Sequence, residues 1–194
     1  MKKISMLVAF LLPAVTRSSL YDYTSYANQF CNTRAGTIST TLFVPDDPVK
    51  KVLLGLIQNE RKAIYSAQFR LTDKDIVLAL CDAHRRGVQI KIVVDCSGIE
   101  ERYEKISLLC KAGIPVHKYK ELNSTMHNKF FVFFNNGNQG SLVWTGSANT
   151  TRTGLLNNQE NVYISNEHAM IARYIKKFDQ LWGQTIAIRI LAEA

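Results

Sequence analysis

The sequence lacks closely spaced cysteine pairs. Its four cysteines, Cys31, Cys81, Cys96 and Cys110, are spread along the 194-residue chain without a C-x-x-C motif. Structural zinc sites normally use such pairs, so no metal site is expected. The cysteines in or next to apolar patterns are interpreted as small buried hydrophobic residues. The alternative, in an oxidising compartment, is that two of them form a disulfide, but the spacing does not assign the partners.

The N-terminal apolar run is too short to cross a membrane comfortably. It covers residues 4–15, behind two lysines, whereas a spanning helix needs about 20 apolar residues. This layout is typical of a secretory signal peptide. Because no clean small-x-small cleavage site follows, an uncleaved anchor is the alternative. We expect residues 1–20 to be a signal peptide or N-terminal membrane anchor, with the protein exported (periplasmic or secreted) or membrane-tethered.

Internal repeats and low-complexity segments are also absent from the sequence. With 46% hydrophobic residues, a chain of this length can bury one core, so we expect one domain and one site. Residues 21–37, rich in Ser, Thr, Tyr and Asn, are predicted to be a linker. The folded domain is predicted at 38–186, followed by a C-terminal tail at 187–194.

Strand and helix patterns alternate through the first part of this domain. Strands are predicted at TTLFV, AIYSAQFRL, VQIKIVVD and IPVHKY, with apolar-periodic helical stretches between them. Thr72 and Asp75 form a T-x-x-D pattern that predicts a helix capped by Thr72 and ended by Gly87. Because parallel strands need helical crossovers, the alternation predicts an α/β fold: a layered α/β/α sandwich with a mixed, largely parallel sheet.

Acidic residues are in short supply relative to basic ones. Sixteen Asp and Glu face twenty-four Lys and Arg, a formal net charge of +8, which favours anionic partners such as nucleic acid or acidic lipid headgroups. In the run H-K-Y-K at 117–120, Lys118 and Lys120 flank an aromatic residue, a pattern suited to tracking phosphates and stacking on bases. The alternative is a solvated edge strand protected by lysines.

The stretch MHNKFFVFFNN, residues 126–136, places polar groups at the start of an apolar strand predicted at about 127–134. Side chains two apart on a strand share a face, so His127 and Lys129 point the same way and Asn128 points away. Asn-Gly in the following NNGNQG predicts a hairpin, with SLVWTG as the returning strand.

The loop T-G-S-A-N follows this returning strand. It carries Ser147 and Asn149 past the strand end, and Gly146 permits close backbone approach. An imidazole, an ammonium, a hydroxyl and an amide together suit a tetrahedral oxyanion, above all phosphate. Glu160 is a candidate to accept a hydrogen bond from one ring nitrogen of His127 and so set which nitrogen reacts.

The segments M-H-N-K-F, V-W-T-G-S-A-N-T-T and N-N-Q-E-N together resemble the phospholipase D superfamily, whose signature is H-x-K-x4-D followed by G-S-x-N. The similarity extends over about residues 38–183. A chain with one such motif resembles the branch that includes bacterial endonucleases and mitochondrial-surface cardiolipin hydrolases. The resemblance implies a phospholipase D-like catalytic domain at 38–186 and a homodimer with a shared site.

The resemblance also implies residue roles. His127 would attack phosphorus to give a phosphohistidine, while His127 of a second copy protonates the leaving oxygen and then activates water. Lys129 and Asn149, helped by Ser147, would hold the phosphoryl oxygens, and Glu160 would orient the histidine. No metal and no cofactor would be needed, because the lysines and the second histidine supply the positive charge.

The chain departs from the signature at one position. Phe134 stands where the motif has aspartate, and the spacing from there to Gly146 is longer than the family pattern. On an unbroken strand, position 134 faces away from His127, so the change need not remove a group from the reacting phosphate.

Three functions follow as hypotheses. The first is a nuclease, with Lys118, Lys120 and Arg152 as additional substrate contacts. The second is a phospholipase D that hydrolyses phosphatidyl lipids such as phosphatidylcholine or cardiolipin, held at a bilayer by the N-terminus. The third is a catalytically silent module that binds nucleic acid or lipid, which the loss of the motif aspartate suggests.

Overall fold

The computed structural model describes residues 22–31, 36–97, 99–119 and 124–188. The predicted N-terminal segment and tail lie outside this part of the chain, apart from residues 187 and 188. The described part holds helices and strands in this order: α1 Thr24–Cys31, β1 Ser39–Val44, α2 Val49–Asn59, β2 Ala63–Gln68, α3 Lys74–Arg85, β3 Gln89–Asp95, α4 Ile99–Lys111, β4 Val116–Tyr119, β5 Lys129–Phe133, a 3₁₀ turn at Gly137–Gln139, β6 Leu142–Gly146, α5 Arg152–Leu156, β7 Glu160–Ser165, α6 His168–Gly183 and β8 Thr185–Ala187.

The strands form one eight-stranded mixed sheet in the order β1-β7-β6-β5-β2-β3-β4-β8. The α/β class and the mixed sheet are confirmed. The expectation of a largely parallel sheet is wrong, because only β2-β3 and β3-β4 pair in parallel and the other five pairings are antiparallel. Helical crossovers make the parallel part, whereas the β5-β6 hairpin and the neighbouring β7 make the antiparallel part.

Helices cover both faces of the sheet, as the layered prediction requires. Side chains from α1 to α5 pack with one face in the larger core, which includes Leu53, Ile76 and Trp144. The other face packs against α6 in a smaller core around Phe130 and Phe178. Alternation along β5 sends Phe131 and Phe133 into the larger core, and Phe130 and Val132 toward α6.

The hairpin at the motif follows the sequence pattern. Phe130 pairs with Thr145 and Phe133 with Leu142, and the turn between the strands contains the 3₁₀ segment Gly137–Gln139. This register brings the start of β5 and the end of β6 to the same edge of the sheet. We call it the motif edge, because His127, Ser147 and Asn149 all lie in the segments that flank these two strand ends.

The cap of α3 differs from the predicted one. Asp73, not Thr72, is the N-cap residue, and its carboxylate accepts hydrogen bonds from the backbone N–H groups of Asp75 and Ile76 at 3.1 and 3.2 Å. Thr72 instead donates its own N–H to the Thr150 carbonyl at 2.9 Å. The Asp73 side chain therefore satisfies the first free donors of the helix.

Two segments have more structure than their sequence patterns predicted. Within the predicted linker, residues 24–31 form α1, because Ala27 and Cys31 are apolar groups that bury fully in the larger core. Near the predicted tail, β8 pairs antiparallel with β4. The domain limits themselves stay predictions. None of the helices in the described part is long and apolar enough to cross a membrane.

Candidate active site

His127 and Lys129 lie together at the motif edge. His127 lies two residues before the first residue of β5 and is exposed, whereas Lys129 opens the strand and is 6% exposed. The Lys129 Nζ atom lies 3.2 Å from His127 Nδ1 and donates to the His127 carbonyl at 2.7 Å. With the ammonium as donor, Nδ1 is the acceptor, and a neutral ring carries its proton on Nε2.

The burial of Lys129 affects its acidity. Desolvation lowers the pKa of the Lys129 ammonium, and the nearby Glu160 carboxylate raises it in part. Its charge is also supported by the Phe69 ring, whose centroid lies 5.2 Å from Nζ. In the described part of the chain, no carboxylate lies within ion-pair distance of this lysine. A buried cation of this kind is poised to receive an anion.

Glu160 and Ser147 form a pair at the rim of the site. Ser147 donates its hydroxyl to the Glu160 carboxylate at 2.5 Å and accepts the Asn161 N–H at 3.0 Å. Among the described residues, the Glu160 carboxylate accepts hydrogen bonds from Ser147 and Asn158 and none from His127, so its expected role in orienting the histidine stays a prediction. A Cβ at Gly146 would collide with the Asn161 carbonyl oxygen, so the close approach predicted for this glycine is present.

Thr150, the residue that follows Asn149, belongs to a buried polar network. The Thr150 hydroxyl donates to Gln68 Oε1 at 2.8 Å, and Gln68 Nε2 donates to the Phe130 carbonyl at 3.0 Å. Gln68 is also the cross-strand neighbour of Lys129. The network thus fixes the loop after β6 to the first residues of β5. The Asn149 Oδ1 atom is buried without a hydrogen-bond partner in the described residues.

A second carboxylate anchors the segment before His127. Asp95, 1% exposed at the end of β3, accepts the Met126 N–H at 2.8 Å through one oxygen and the Ser97 N–H at 2.8 Å through the other. Met126, the residue before His127, is therefore held by the end of β3, which is separated from β5 by β2. Asp95 acts on the position of the histidine and does not reach the site itself.

Sequence analysis missed Gln68, Phe69 and Arg70. The ring centroids of Phe69 and His127 are 4.4 Å apart, and the Arg70 guanidinium carbon lies 5.5 Å from the Phe69 ring. The available signal was position: the predicted strand AIYSAQFRL ends beside the motif strand. Nothing in the sequence alone gave the pairing of these two strands.

The three other residues predicted to contact substrate, Arg152, Lys118 and Lys120, lie at different places relative to His127. Arg152 is exposed at the start of α5, three residues after Asn149. Lys118 lies on β4, which is separated from β5 by β2 and β3, so the two strand axes are about 14 Å apart. The structure therefore does not bring Lys118 into the His127 cluster. Lys120 lies outside the described residues.

The opposite end of β5 contains the missing aspartate position. Phe134 packs its ring against Tyr65 at 4.7 Å between centroids, on the α6 side and away from His127. The turn there is held by Glu60, which is 1% exposed and accepts the N–H groups of Lys62, Ala63 and Asn135 at 2.8, 3.0 and 2.8 Å. A carboxylate thus supports this strand end although position 134 is phenylalanine.

The site has the groups for phosphoryl chemistry. It combines an exposed imidazole, a buried ammonium, a hydroxyl that is hydrogen-bonded to a carboxylate, and an amide side chain at one sheet edge. Within the described residues, no cluster of three or more His, Cys, Asp or Glu could hold a metal ion.

The four cysteines are free, and burial raises the pKa of Cys31 to about 12.

The chain is similar in sequence to a family of known proteins. The sequence profile of the family described as "Cardiolipin synthase, PLD-like domain" matches residues 53–182. The phospholipase D of Rickettsia bellii is 30% identical over 139 residues, 72% of this chain and 66% of that protein. The human mitochondrial cardiolipin hydrolase is 29% identical over 132 residues, 68% of this chain and 50% of that protein.

Solved structures agree on the fold. Nuc from Salmonella typhimurium, a phospholipase D family member, superposes with a TM-score of 0.72 at 24% identity, covering 79% of this chain and 99% of that one. NucT from Helicobacter pylori gives 0.71 at 18% identity, covering 78% and 99%. The chain spans about half the length of the cardiolipin hydrolases of dog and human. Its profile match, motif and sheet together show that the chain belongs to the phospholipase D-like family.

Proposed function

We propose that the protein is a metal-independent phosphodiesterase that works as a homodimer through a phosphohistidine intermediate, with nucleic acid as its main substrate. The observation that carries the proposal is the contact of 3.2 Å between the buried Lys129 ammonium and the exposed His127 ring. An unpaired buried cation beside a solvent-facing imidazole suits an anionic substrate and a nucleophile acting on it.

Substrate binding would first change the contacts of Lys129. A phosphate oxygen is a stronger acceptor for an ammonium than a ring nitrogen, so the anion would draw Nζ away from His127 Nδ1. This frees Nδ1 to take the ring proton and exposes the lone pair of Nε2. The Asn149 amide and the Ser147 hydroxyl lie at the same edge and would bind the other phosphoryl oxygens.

The reaction would then proceed in two displacements. His127 Nε2 forms a bond to phosphorus as the bond to the leaving oxygen breaks, and the partner subunit's His127 gives that oxygen a proton. Water next attacks phosphorus, the same second histidine takes its proton, and the P–N bond breaks to return the free imidazole. Glu160 supports the charged form of Lys129 electrostatically throughout, and its role in orienting a histidine stays part of the proposal.

The shared site makes a quantitative test possible. Differently tagged wild-type and His127→Asn subunits are co-refolded at equal amounts, and hydrolysis of bis(4-nitrophenyl) phosphate is measured in EDTA. If both histidines of a dimer are needed, about a quarter of the wild-type activity remains, since random pairing gives that share of intact dimers. Self-contained monomer sites would retain about a half, and full loss of activity in EDTA would exclude metal-free catalysis.

Lipid hydrolysis is the second candidate function. It is favoured by the names of the curated relatives, which include a phospholipase D and mitochondrial cardiolipin hydrolases. A membrane-held N-terminal segment at residues 1–20 would bring the basic domain to anionic headgroups. Release of phosphatidic acid from cardiolipin vesicles by the wild-type protein, with none from a His127→Asn protein and no cleavage of DNA by either, would favour this function over the first.

A further inference from the structure

A groove opens on the other side of the catalytic strand from Lys129. It has a volume of about 620 Å³ and is lined by Asn128 and by residues of α6, including Met170, Arg173, Tyr174 and Lys177. Because strand side chains alternate, Asn128 points to the α6 side while its neighbours His127 and Lys129 point to the other. The groove therefore begins one residue away from the proposed nucleophile.

The helix side of the groove is one continuous stripe. Residues 170, 173, 174 and 177 follow the spacing i, i+3, i+4 and i+7, which places them on one side of α6. The neighbouring stripe, which includes Ile171 and Phe178, is buried against the sheet. The groove-lining stripe is thus set by the same packing that holds α6 in place.

The groove is also tied to the catalytic strand by a chain of hydrogen bonds. The Tyr174 hydroxyl donates to Thr145 Oγ1 at 3.2 Å, and Thr145 Oγ1 donates to the Lys129 carbonyl at 3.3 Å. The Tyr174 ring also packs edge-on against Phe130, with 5.0 Å between centroids. The floor of the groove is therefore rigidly placed relative to the first two residues of β5.

The charges along the groove are predominantly basic. Arg173 and Lys177 are both exposed, one helical turn apart, and no carboxylate of the described residues lies within ion-pair distance of either. Glu167 also lines the groove, but it precedes the helix, ten residues and about 15 Å along the axis from Lys177. The middle and the far end of the groove therefore present two cations with no anion to neutralise them.

We propose that this groove is a second phosphate subsite that binds the nucleotides flanking the scissile phosphodiester of a single-stranded nucleic acid. Arg173 and Lys177 bind the flanking phosphates, and Asn128 and Tyr174 contact the sugar or base beside them. The proposal rests on the proposed function, since it takes His127 as the point where the strand is cut. A single nucleic-acid strand that passes over the start of β5 would contact His127 on one face of the sheet and the groove on the other.

The test compares a substrate that fills the groove with one that does not. The double variant Arg173→Gln/Lys177→Gln is assayed on a fluorescent single-stranded DNA oligonucleotide and on bis(4-nitrophenyl) phosphate, which has one phosphate. Lys176→Gln is the matched control, because Lys176 is exposed on the same helix but does not line the groove. The expected result is a fall of about tenfold in kcat/KM for the oligonucleotide, through KM, with kcat/KM for the small ester kept and the control like wild type.

Binding provides a readout that does not need turnover. Anisotropy of the oligonucleotide on the full-length protein is measured from low to high salt, and loss of two phosphate contacts should reduce the slope of log K against log salt by about 1.4. An unchanged slope would overturn the proposal, as would an equal loss on both substrates, an equal effect of Lys176→Gln, or dissociation of the dimer. A loss confined to cardiolipin vesicles would assign the groove to lipid and overturn the nucleic-acid subsite.

Failure of the proposed function gives a separate result. If the wild-type protein hydrolyses neither the oligonucleotide nor the small ester, the phosphodiesterase proposal fails. The anisotropy measurement then still decides whether Arg173 and Lys177 bind the phosphates of a single strand.

Discussion

The two ends of strand β5 each have a buried charged side chain, but these two side chains differ in the partners that the fold gives them. At one end, Glu60 is buried and its carboxylate accepts three backbone N–H groups. At the other end, Lys129 is equally withdrawn from water but has only the carbonyl and ring nitrogen of His127 as close partners among the described side chains and backbone groups. The first charge is compensated within the fold, whereas the second has no carboxylate within ion-pair distance among the described residues.

This difference separates buried charged groups that support the fold from buried charged groups that are available for binding or catalysis. A buried charge whose bonding capacity is filled contributes to stability, since its removal leaves donors unpaired. A buried charge with a lowered pKa and unfilled capacity costs stability and persists because binding or catalysis uses it. Changes at the Glu60 end should therefore alter unfolding, and changes at the Lys129 end should alter chemistry.

Replacement of the proposed nucleophile should have the largest effect. His127→Asn removes the atom that we propose forms the bond to phosphorus, so kcat should fall by about 10⁴-fold or more. The side chain is exposed, so the free energy of unfolding should change by no more than about 0.5 kcal/mol. Steady-state kinetics and thermal melting on the same preparation check both values, and a substantial residual kcat would show that another group attacks.

Replacement of Lys129 should separate activity from stability. Lys129→Met should reduce kcat by about 10²–10³-fold, because a cation that stabilises the phosphoryl oxygens is lost. The folded-state pKa lies below the ordinary value for lysine, so at neutral pH the ammonium opposes folding. This opposition is full below the lowered pKa and disappears as pH rises from there past the ordinary pKa of lysine. The variant should therefore melt at a higher temperature than the wild type at pH 7. A lower melting temperature would contradict this account.

Replacement of Glu60 should show the reverse. Glu60→Ala leaves three backbone donors without their acceptor and should lower the free energy of unfolding by about 2–4 kcal/mol. Urea unfolding measures the loss, and Glu60→Gln, which keeps an acceptor oxygen, serves as the milder control. At a temperature where the protein stays folded, kcat should be nearly unchanged; a large loss of kcat would mean that the two strand ends are coupled.

Restoring the motif aspartate tests the departure at position 134. Phe134→Asp would remove the contact with Tyr65 and place a carboxylate on the α6 side of the sheet. The expected loss is about 1–2 kcal/mol in the free energy of unfolding, with no gain in kcat. A Phe134→Leu variant controls for loss of the ring, and a marked gain in kcat for the aspartate variant would show that the natural residue limits catalysis.

The smallest expected effect is a shift in the pH dependence of kcat/KM when Glu160 is replaced. Glu160 raises the pKa of Lys129 and so opposes the lowering by desolvation. Glu160→Gln should therefore move the alkaline limb of the kcat/KM profile to lower pH, since the ammonium loses its proton earlier. The pH profile of Ser147→Ala is the comparison, because it removes the hydrogen bond to Glu160 without removing its charge. An alkaline limb that moves to higher pH would contradict the assignment of that limb to Lys129.

Local patterns in the sequence predicted much of this site. The alternation His127-x-Lys129, the Asn-Gly turn and the Gly146 loop depend on neighbours within a few residues, and each is present in the structure. The largely parallel character predicted for the sheet was wrong, because pairings such as β1-β7 and β4-β8 join segments far apart in sequence and depend on the complete sheet.

The supporting residues were missed for a related reason. Gln68, Glu60 and Asp95 act through hydrogen bonds to backbone groups 31 to 75 residues away. Such partners have no local spacing that a single sequence displays. The orienting role expected for Glu160 stays a prediction, and in the structure its carboxylate accepts the Ser147 hydroxyl.

The most direct test of the central claim is a search for phosphate bound to His127. A reaction of the full-length protein with bis(4-nitrophenyl) phosphate is quenched in base within one turnover, digested and examined by mass spectrometry, with His127→Asn as the control. The account predicts a 4-nitrophenyl phosphate adduct on the peptide that contains His127, absent from the control. Turnover with no adduct on that residue, or with the adduct on another side chain, would contradict it.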